Sequence, residues 1–250
     1  MPQAWTIGPL RLWSKRVAKE IWVAFVHAEA DTDEGVSPSL LPEKLDWSRW
    51  ALASEADEIR FVPLFPDRPV VVKPEAAFRV TKEAQARIYV RVPLWVRVES
   101  AGADSVPLAE IPTAVLSNTW FGTFTSGELC YWISSGARMQ ITPDYSRPYL
   151  AICPIQIINR ADEELYVEKL CLRVGRLSLF NQQGQLWADE TKVIFKGSND
   201  ASRVEVSGTA PVEAGGAVLV SSPREAGTSG FAAKTFTTLK DLSGLGALIK

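Results

Sequence analysis

The sequence predicts an all-β fold with little helix, built as two antiparallel β-sandwich-like halves packed together. Three observations lead to this prediction. Apolar and polar residues alternate with a period of two through most of the chain, as they do in half-buried strands. Turn-forming residues separate these runs at near-regular spacing, which is typical of antiparallel sandwiches and barrels. The chain also lacks the alternation of strands and helices that builds parallel α/β sheets.

Runs with strand character follow one another along the chain. In the first half they are "GPLRLWS", "EIWVAFVHA", "EIRFVPLF", "RPVVVKP", "AAFRV" and "RIYVRVPLWVRVE". In the second half they are "GELCYWIS", "LAICPIQIIN", "ELYVEKLCLRV", "LSLFNQQGQLWA", "TKVIFKG", "SRVEVSG" and "GAVLVSS". "NRADEE" and "NQQGQ" supply Asn and Gly for hairpin loops.

Helical signal is scarce. "SLLPEKLDWSRWALASEADE" could hold a short amphipathic helix, although "WSRWALA" fits a strand equally well. "FAAKTFTTLKDLSGLGALIK" indicates a short helix or an arm that packs on the body. The small and proline-rich segment 99–113, "ESAGADSVPLAEIPT", suggests a boundary between domains 1–112 and 113–250.

The run "RIYVRVPLWVRVE", residues 87–99, shows the clearest alternation. Its aliphatic side chains share one face, and Pro93, which has no N–H, predicts a sheet edge or a bulge. The opposite face carries an aromatic and basic stripe of Tyr89, Arg91, Trp95 and Arg97. Aromatic and Arg residues are enriched at interfaces, so this stripe is a candidate ligand-binding surface. A packed or merely solvated face would give the same pattern.

Composition excludes several classes of function. The 250 residues carry a formal net charge of -2, which favours neither nucleic acid nor an anionic membrane. The N-terminus does not resemble a secretory signal, and "IWVAFVHA" is too short to span a bilayer. We therefore expect a cytoplasmic protein without direct membrane insertion. Cys130, Cys153 and Cys171 are expected to be buried, reduced thiols.

The residues needed by common catalytic machinery are missing. His27 is the single histidine, and no GxSxG elbow or phosphate-binding glycine motif occurs. Metal-ligand spacings are absent, and "DTDEG" at residues 31–35 lacks the later ligands of a calcium loop. The sequence thus predicts no catalytic residue, metal or cofactor. A carbohydrate hydrolase stays open because the chain has 9 Trp residues and Glu128 lies among aromatics.

The segment "NTWFGTFTSGELCYWISSGARM", residues 118–139, concentrates aromatic side chains around one acid and one base. Apolar residues on both faces of "GELCYWIS" predict a central strand that is covered on both sides. "TWFGTFTSG" is predicted to be a loop whose aromatics fold back onto the sheet. Trp120, Glu128 and Arg138 are the candidate ligand-binding residues. Arg138 is the nearest candidate in sequence to pair with Glu128, and the sequence leaves open whether the two form a structural ion pair or line a ligand pocket.

Several blocks resemble an uncharacterised prokaryotic family, domain of unknown function 432. They are "LSNTWFGTFTSGELCYWISSGAR", "AICPIQIINRADEELYVEKLCLRVGRLSLF", "LWADETKVIFKG", "PDRPVVVKPE" and "IYVRVPLWVRV". The resemblance implies a soluble β-rich protein with no established activity and no catalytic residue to transfer. Because some members are encoded near mechanosensitive channels, it also implies a membrane-related partner.

These observations favour a non-enzymatic binding or accessory module whose partner is unknown, either another protein or a second copy of the chain. A structural or oligomeric partner of a mechanosensitive channel system is the first alternative. A carbohydrate-active hydrolase is the second, and it requires another carboxylate about 5–10 Å from Glu128.

Overall fold

The computed structural model describes residues 2–28, 42, 44–52, 58–101, 105–141, 147–198, 200–227 and 230–236. The protein is nearly all β, and one of its sheets curls into a half-barrel, so the predicted fold class is confirmed. Helical structure in the described ranges is confined to two 3-10 turns, Val174–Arg176 and Val212–Ala214. None of the described helical segments is long and apolar enough to cross a membrane.

Strands of the first half of the chain are β1 Gln3–Ile7, β2 Leu10–Val17, β3 Glu20–His27, β4 Ser48–Ala51, β5 Glu58–Leu64, β6 Val70–Pro74, β7 Phe78–Val80, β8 Gln85–Pro93, β9 Trp95–Ala101 and β10 Pro107–Pro112. Those of the second half are β11 Ser117–Phe121, β12 Glu128–Ala137, β13 Leu150–Asn159, β14 Leu165–Val167, β15 Leu170–Leu172, β16 Leu179–Gln182, β17 Gln185–Ala188, β18 Thr191–Phe195, β19 Ser202–Val206, β20 Val218–Ser221 and β21 Gly230–Ala233. "WSRWALA" thus supplies strand β4.

Two compact units make up the chain. The first consists of Met1–Leu64, Pro93–Val115 and Ser146–Tyr149, and the second of Phe65–Val92, Leu116–Tyr145 and Leu150–Lys250. Segment 99–113, which suggested a boundary, contributes to β9 and β10, and these strands pair with each other inside the first unit. The domain division between residues 112 and 113 therefore stays a prediction.

The first unit is an antiparallel β-sandwich. One sheet has the order β1-β2-β3-β4 and the other has the order β10-β9-β5. Their inner faces meet in a buried cluster of Leu10, Leu12, Ile21, Val23, Val96, Val98 and Ile111. Trp5 and Phe61 extend it in an edge-to-face contact with ring centroids 4.8 Å apart. The alternation of apolar and polar residues in the sequence is enough to predict which of these side chains face inward, because every second residue of a strand points to the same face.

The second unit contains a four-stranded sheet, β11-β12-β6-β15, and an eight-stranded sheet with β13 near its middle. Strand β12 pairs in parallel with β6, and β13 pairs in parallel with both β17 and β18. The predicted antiparallel pairing is therefore incomplete in this unit. Alternation reports which face of a strand is buried, not the direction of its neighbour, so the sequence carried no signal for these pairs.

The run "RIYVRVPLWVRVE" forms two strands rather than one. β8 ends at Pro93, β9 begins at Trp95, and the chain passes from the second unit to the first between Val92 and Pro93. The predicted alternation is confirmed, since Ile88 and Val98 are 1% and 0% exposed. A proline has no N–H to donate to a neighbouring strand. At the end of β8 this removes no hydrogen bond from the interior of the strand, so the fold tolerates a proline at this position.

The loop "NQQGQ" forms the predicted hairpin. Gln183 and Gly184 have φ of 50° and 88°, the left-handed pair that closes a two-residue loop between β16 and β17. "NRADEE" does not form a hairpin, because β13 and β14, which it joins, lie in different sheets. At the C-terminus, β21 pairs with β19 as an arm on the eight-stranded sheet, and residues beyond Phe236 lie outside the described part of the chain.

Candidate functional site

The four-stranded sheet brings two thiols together. Cys130 lies on β12 and Cys171 on β15, the strands that flank β6. Their Sγ atoms are 3.9 Å apart, and the residues are 0% and 2% exposed. Val71 of β6 and Phe121 of β11 pack against them. The prediction of buried, reduced thiols is confirmed for these residues and for Cys153, which are all free.

A carboxylate completes this cluster. Glu128 is the first residue of β12, and strand periodicity places its side chain on the same face as Cys130. Its carboxylate oxygen and the two Sγ atoms all lie within 4.8 Å of one another. The Glu128 side chain keeps 40% exposure, so the cluster opens toward solvent on this side. Thiolate and carboxylate groups are metal ligands as well as hydrogen-bonding groups.

Arg173 is the cation that contacts the cluster. Its Nη2 donates to Glu128 Oε1 and also to the backbone oxygen of Lys234, the latter at 2.9 Å. The hydrogen bond from Cys171 lowers the pKa of the Cys130 thiol, and the charge of Arg173 acts in the same direction. The same bond, followed by burial, raises the pKa of Cys171. Cys130 is therefore the thiol that ionises first.

The predicted ion pair between Glu128 and Arg138 is wrong. Arg138 pairs instead with Glu75, with Nε and Oε1 2.6 Å apart. β12 runs from Glu128 to Ala137, so Arg138 lies about 33 Å farther along an extended strand at roughly 3.3 Å per residue. Proximity in sequence misled the prediction, because two residues at opposite ends of one strand cannot meet.

Arg138 lines a groove of the second unit. The groove has a volume of about 340 Å³ and is lined by Glu75, Ala76, Ala77, Phe78, Ile88, Ala137, Arg138, Met139 and Gln140. Trp120 and Glu128 are not among its lining residues. The three candidate residues of segment 118–139 therefore do not share one pocket, and the ligand-binding role of Arg138 stays a prediction.

Replacing Arg173 or Arg138 by glutamine should distinguish the two ion pairs by how much each contributes to the free energy of unfolding. We expect Arg173→Gln to lower the free energy of unfolding by about 2 kcal/mol, since it strips the charge partner of a half-buried carboxylate. Arg138→Gln should cost less than about 1 kcal/mol, because both members of its pair are more than half exposed. Urea denaturation of both variants measures the difference. Equal losses would contradict this assignment of partners.

Trp120 lies on strand β11, next to the hairpin loop of residues 122–127, rather than inside a covering loop. It pairs across β11 and β12 with Leu129, and its indole Nε1 donates to the Thr123 oxygen at 3.0 Å. Trp120 and Leu129 are 54% and 44% exposed, and Phe124 at the tip is 96% exposed. The predicted folding back of these aromatics is wrong for Phe124. β12 is an inner strand of its sheet, and its second face is exposed at Leu129 but buried at Ile133, which is 3% exposed.

Glycine makes this hairpin possible. Gly122 has φ of +114°, a conformation that side-chain-bearing residues rarely adopt. A Cβ at Gly127 would collide with the indole of Trp120. The turn therefore fixes the orientation of Trp120, whose ring presents an apolar surface because its N–H is satisfied internally.

In the second unit, the stripe residue Tyr89 belongs to a structural network. Its hydroxyl donates to Glu213 at 2.6 Å, while Arg87 pairs with Glu213 at 2.8 Å and with Glu190 at 2.6 Å. Burial and the bond to Glu213 raise the pKa of Tyr89. Burial opposes ionisation of Glu213, yet the bonds from Tyr89 and Arg87 hold its pKa below the ordinary value. Arg91 is partly buried.

In the first unit, Arg97 donates from Nε to Glu110 Oε1 at 2.9 Å and lies 3.6 Å from Glu99. Trp95 is partly buried beside it on β9. The stripe Tyr89, Arg91, Trp95 and Arg97 is thus divided between the two units. Arg97 forms ion pairs within the first unit, and Tyr89 donates a hydrogen bond within the second. The binding role of the stripe stays a prediction.

His27 makes a contact between two strands. Its Nε2 lies 2.7 Å from the backbone oxygen of Pro112, an interaction that links β3 to β10 within the first unit. The calcium-like segment 31–35 lies outside the described residues.

Sequence reasoning missed Cys171 and Arg173. Cys130 and Cys171 are 41 residues apart, and no spacing motif connects them. Their proximity depends on β6 lying between β12 and β15, an arrangement of strands that residue patterns do not specify. The sequence did contain one signal for this cluster. Glu128 and Cys130 are two residues apart on a predicted strand, so their side chains are expected on the same face.

The fold and the cluster define an all-β protein with a buried thiol pair and an adjoining carboxylate. The chain belongs to the family described as Protein of unknown function (DUF432), whose model matches residues 2–240. The resemblance noted in the sequence is thereby confirmed. No curated protein and no solved structure matches the chain.

Proposed function

We propose that the protein is a non-enzymatic binding module that takes up an extended segment of a partner protein along β11. The observation that carries the proposal is the exposed apolar hairpin of Trp120, Phe124 and Leu129, at 54%, 96% and 44% exposure. Large apolar side chains grouped on a surface mark interaction sites more often than scattered ones do. Trp in particular is enriched among residues that dominate binding energy.

The edge of the sheet supports the same proposal. β11 is the outermost strand of β11-β12-β6-β15, so its outer backbone groups face no other described strand. Natural edge strands are protected by charges, prolines or bulges. β11 has the sequence SNTWF and a continuous register with β12, and thus has none of these devices. β10, in contrast, carries two prolines and a bulge.

A strand added to β11 would bring its side chains beside Trp120 and Leu129, which face the same side of the sheet. Backbone hydrogen bonds would then supply affinity, and the apolar pair would supply selectivity for residues at alternate positions. The partner segment should accordingly be extended, with apolar residues spaced by two.

The two alternatives lack comparable support. A channel partner would be one special case of a protein ligand, and the aromatic hairpin carries no feature that selects it. For the hydrolase, Glu128 is engaged by Arg173 and lies outside the groove, so its geometry does not favour acid–base work on a sugar.

A peptide-display selection against the full chain tests the proposal. We expect enriched peptides with apolar residues at every second position. The double variant Trp120→Ala/Phe124→Ala should bind them at least about 10-fold more weakly in fluorescence anisotropy, because loss of such anchors costs more than 1 kcal/mol. The matched control is Val212→Ala. It shortens an apolar side chain that is 84% exposed and lies outside the β11–β12 hairpin.

Equal affinity of the double variant, or the absence of any enriched peptide, would overturn the proposal. A dimer of the wild-type chain that dissociates in the double variant, detected by light scattering, would show instead that a second copy occupies β11.

A further inference from the structure

We propose that Cys130, Cys171 and Glu128 bind a single zinc ion, with water as the fourth ligand. The proposal depends on the geometry of the thiol pair and is independent of the binding surface at β11. It concerns a site that no motif in the sequence marks.

The sulfur separation fits tetrahedral zinc. With Zn–S bonds of about 2.3 Å, Sγ atoms 3.9 Å apart subtend an angle of about 116° at the ion. This angle is close to the tetrahedral value, so the two sulfurs can bind the metal with little movement. The Glu128 oxygen lies within 4.8 Å of both sulfurs, and rotation of its side chain can bring it to the bonding distance of about 2.0–2.2 Å.

A disulfide between Cys130 and Cys171 fits the structure less well than a shared metal ion does. Cys130 and Cys171 occupy strands separated by β6, and their Sγ atoms are 3.9 Å apart. A disulfide bond is about 2.0 Å long, so its formation would have to draw these strands together. An ion between the sulfurs spans the gap as it stands.

The charges around the cluster also suit a divalent ion. Two thiolates and one carboxylate carry three negative charges, which zinc and Arg173 together neutralise. The Nη1 of Arg173 is buried without a hydrogen-bond partner among the described residues, so the guanidinium keeps one donor to offer to the site.

The donor set selects zinc over other common ions. Calcium and magnesium prefer all-oxygen sites, and thiolates select zinc or copper(I). A carboxylate as third ligand favours zinc, which accepts sulfur and oxygen together. Because the Glu128 side chain is partly exposed, an ion can reach the buried sulfur atoms from that side of the cluster.

Cobalt substitution in the full chain provides the test. Metal-free protein titrated with Co²⁺ should develop thiolate-to-cobalt charge-transfer absorption at one ion per chain, and Zn²⁺ should displace it. Cys130→Ser and Cys171→Ser should weaken binding by more than about 100-fold, and Glu128→Gln by about 10–100-fold, as expected for lost ligands. Cys153→Ser removes the remaining thiol, which lies on β13, and should bind as the wild type does.

A measurement on the wild type guards against variants that fail to fold. Zinc should protect Cys130 and Cys171, and not Cys153, from alkylation in partly denatured protein analysed by mass spectrometry. Folded wild-type protein without charge-transfer absorption, or unchanged alkylation at both cysteines, would overturn the proposal. Equal weakening by Cys153→Ser would do the same.

Discussion

Replacing Asn159 by aspartate is expected to lower the free energy of unfolding by about 3–5 kcal/mol, because it removes two hydrogen-bond donors from a buried amide. Asn159 is 0% exposed at the end of β13. Its Nδ2 donates to the backbone oxygens of Val80 and Glu163 at 2.9 and 2.8 Å. Its Oδ1 accepts from the N–H of Ala161 at 2.9 Å.

Aspartate has the same shape and keeps the acceptor, so the substitution isolates the loss of the donors. The buried oxygen of Val80 and the partly buried oxygen of Glu163 would then lose this donor and would face a carboxylate, and each such loss costs about 1–3 kcal/mol. The affected oxygens belong to the end of β7 and to the loop before β14, so both elements should loosen. Urea denaturation gives the free energy, and hydrogen exchange locates the loosened region.

Asn181→Asp is the matched control. Asn181 is an exposed residue of β16 beside its hairpin loop, and its Oδ1 accepts from the Gly184 N–H at 2.9 Å. Aspartate preserves that acceptor, so a change below about 0.5 kcal/mol is expected at a surface position of this kind. Comparable losses at residues 159 and 181 would show that the amide donors of Asn159 contribute little.

Strand positions were predictable because burial imposes a period of two on the sequence. "LAICPIQIIN" coincides with β13, and "EIWVAFVH" coincides with β3. The same signal failed for β11, where the turn residues of "TWFGTFTSG" concealed a five-residue strand. Aromatic content also misled, since Phe124 is 96% exposed although apolar side chains are usually buried.

The candidate site was less predictable than the strands, since it depends on which strands become neighbours. Trp120 and Glu128 were singled out as candidate ligand-binding residues, a role that stays a prediction, and Glu128 pairs with a cation. That cation is Arg173, which follows β15, and strand order rather than sequence distance brings the two together. Local patterns fix the face of a strand, whereas long-range pairing is decided by the whole set of strands competing for one another.

Asp189→Asn is expected to stabilise the protein at pH 8, in contrast to the loss at Asn159. Asp189 is 1% exposed between β17 and β18, and its Oδ2 has no hydrogen-bond partner among the described residues. Burial raises its pKa from 3.8 to about 7, and backbone hydrogen bonds, chiefly from Ser178, offset this only in part. Asparagine resembles the protonated acid and keeps the acceptor for the Ser178 N–H, 3.1 Å away.

The sign of the pH dependence follows from the direction of this pKa shift. Between pH 4 and 7 the folded protein holds a proton at Asp189 that the unfolded chain has released, so wild-type stability falls as the pH rises through this window. The full shift, from 3.8 to about 7, corresponds to on the order of 4 kcal/mol as an upper limit. Asp189→Asn should remove this decline, matching the wild type near pH 4 and exceeding it by up to that amount at pH 8.

Asp162→Asn is the control with the opposite sign. Asp162 has a side chain that is 96% exposed and a pKa lowered by its hydrogen bond from Lys82. Its contribution is present at neutral pH and is lost as the pH falls through the lowered pKa, so its removal should weaken the protein slightly at pH 8. Chemical denaturation of the wild type and both variants from pH 4 to 8 measures these profiles. An Asp189→Asn curve that runs parallel to the wild type would mean that Asp189 stays ionised inside the fold, with its charge balanced by groups around Ser178.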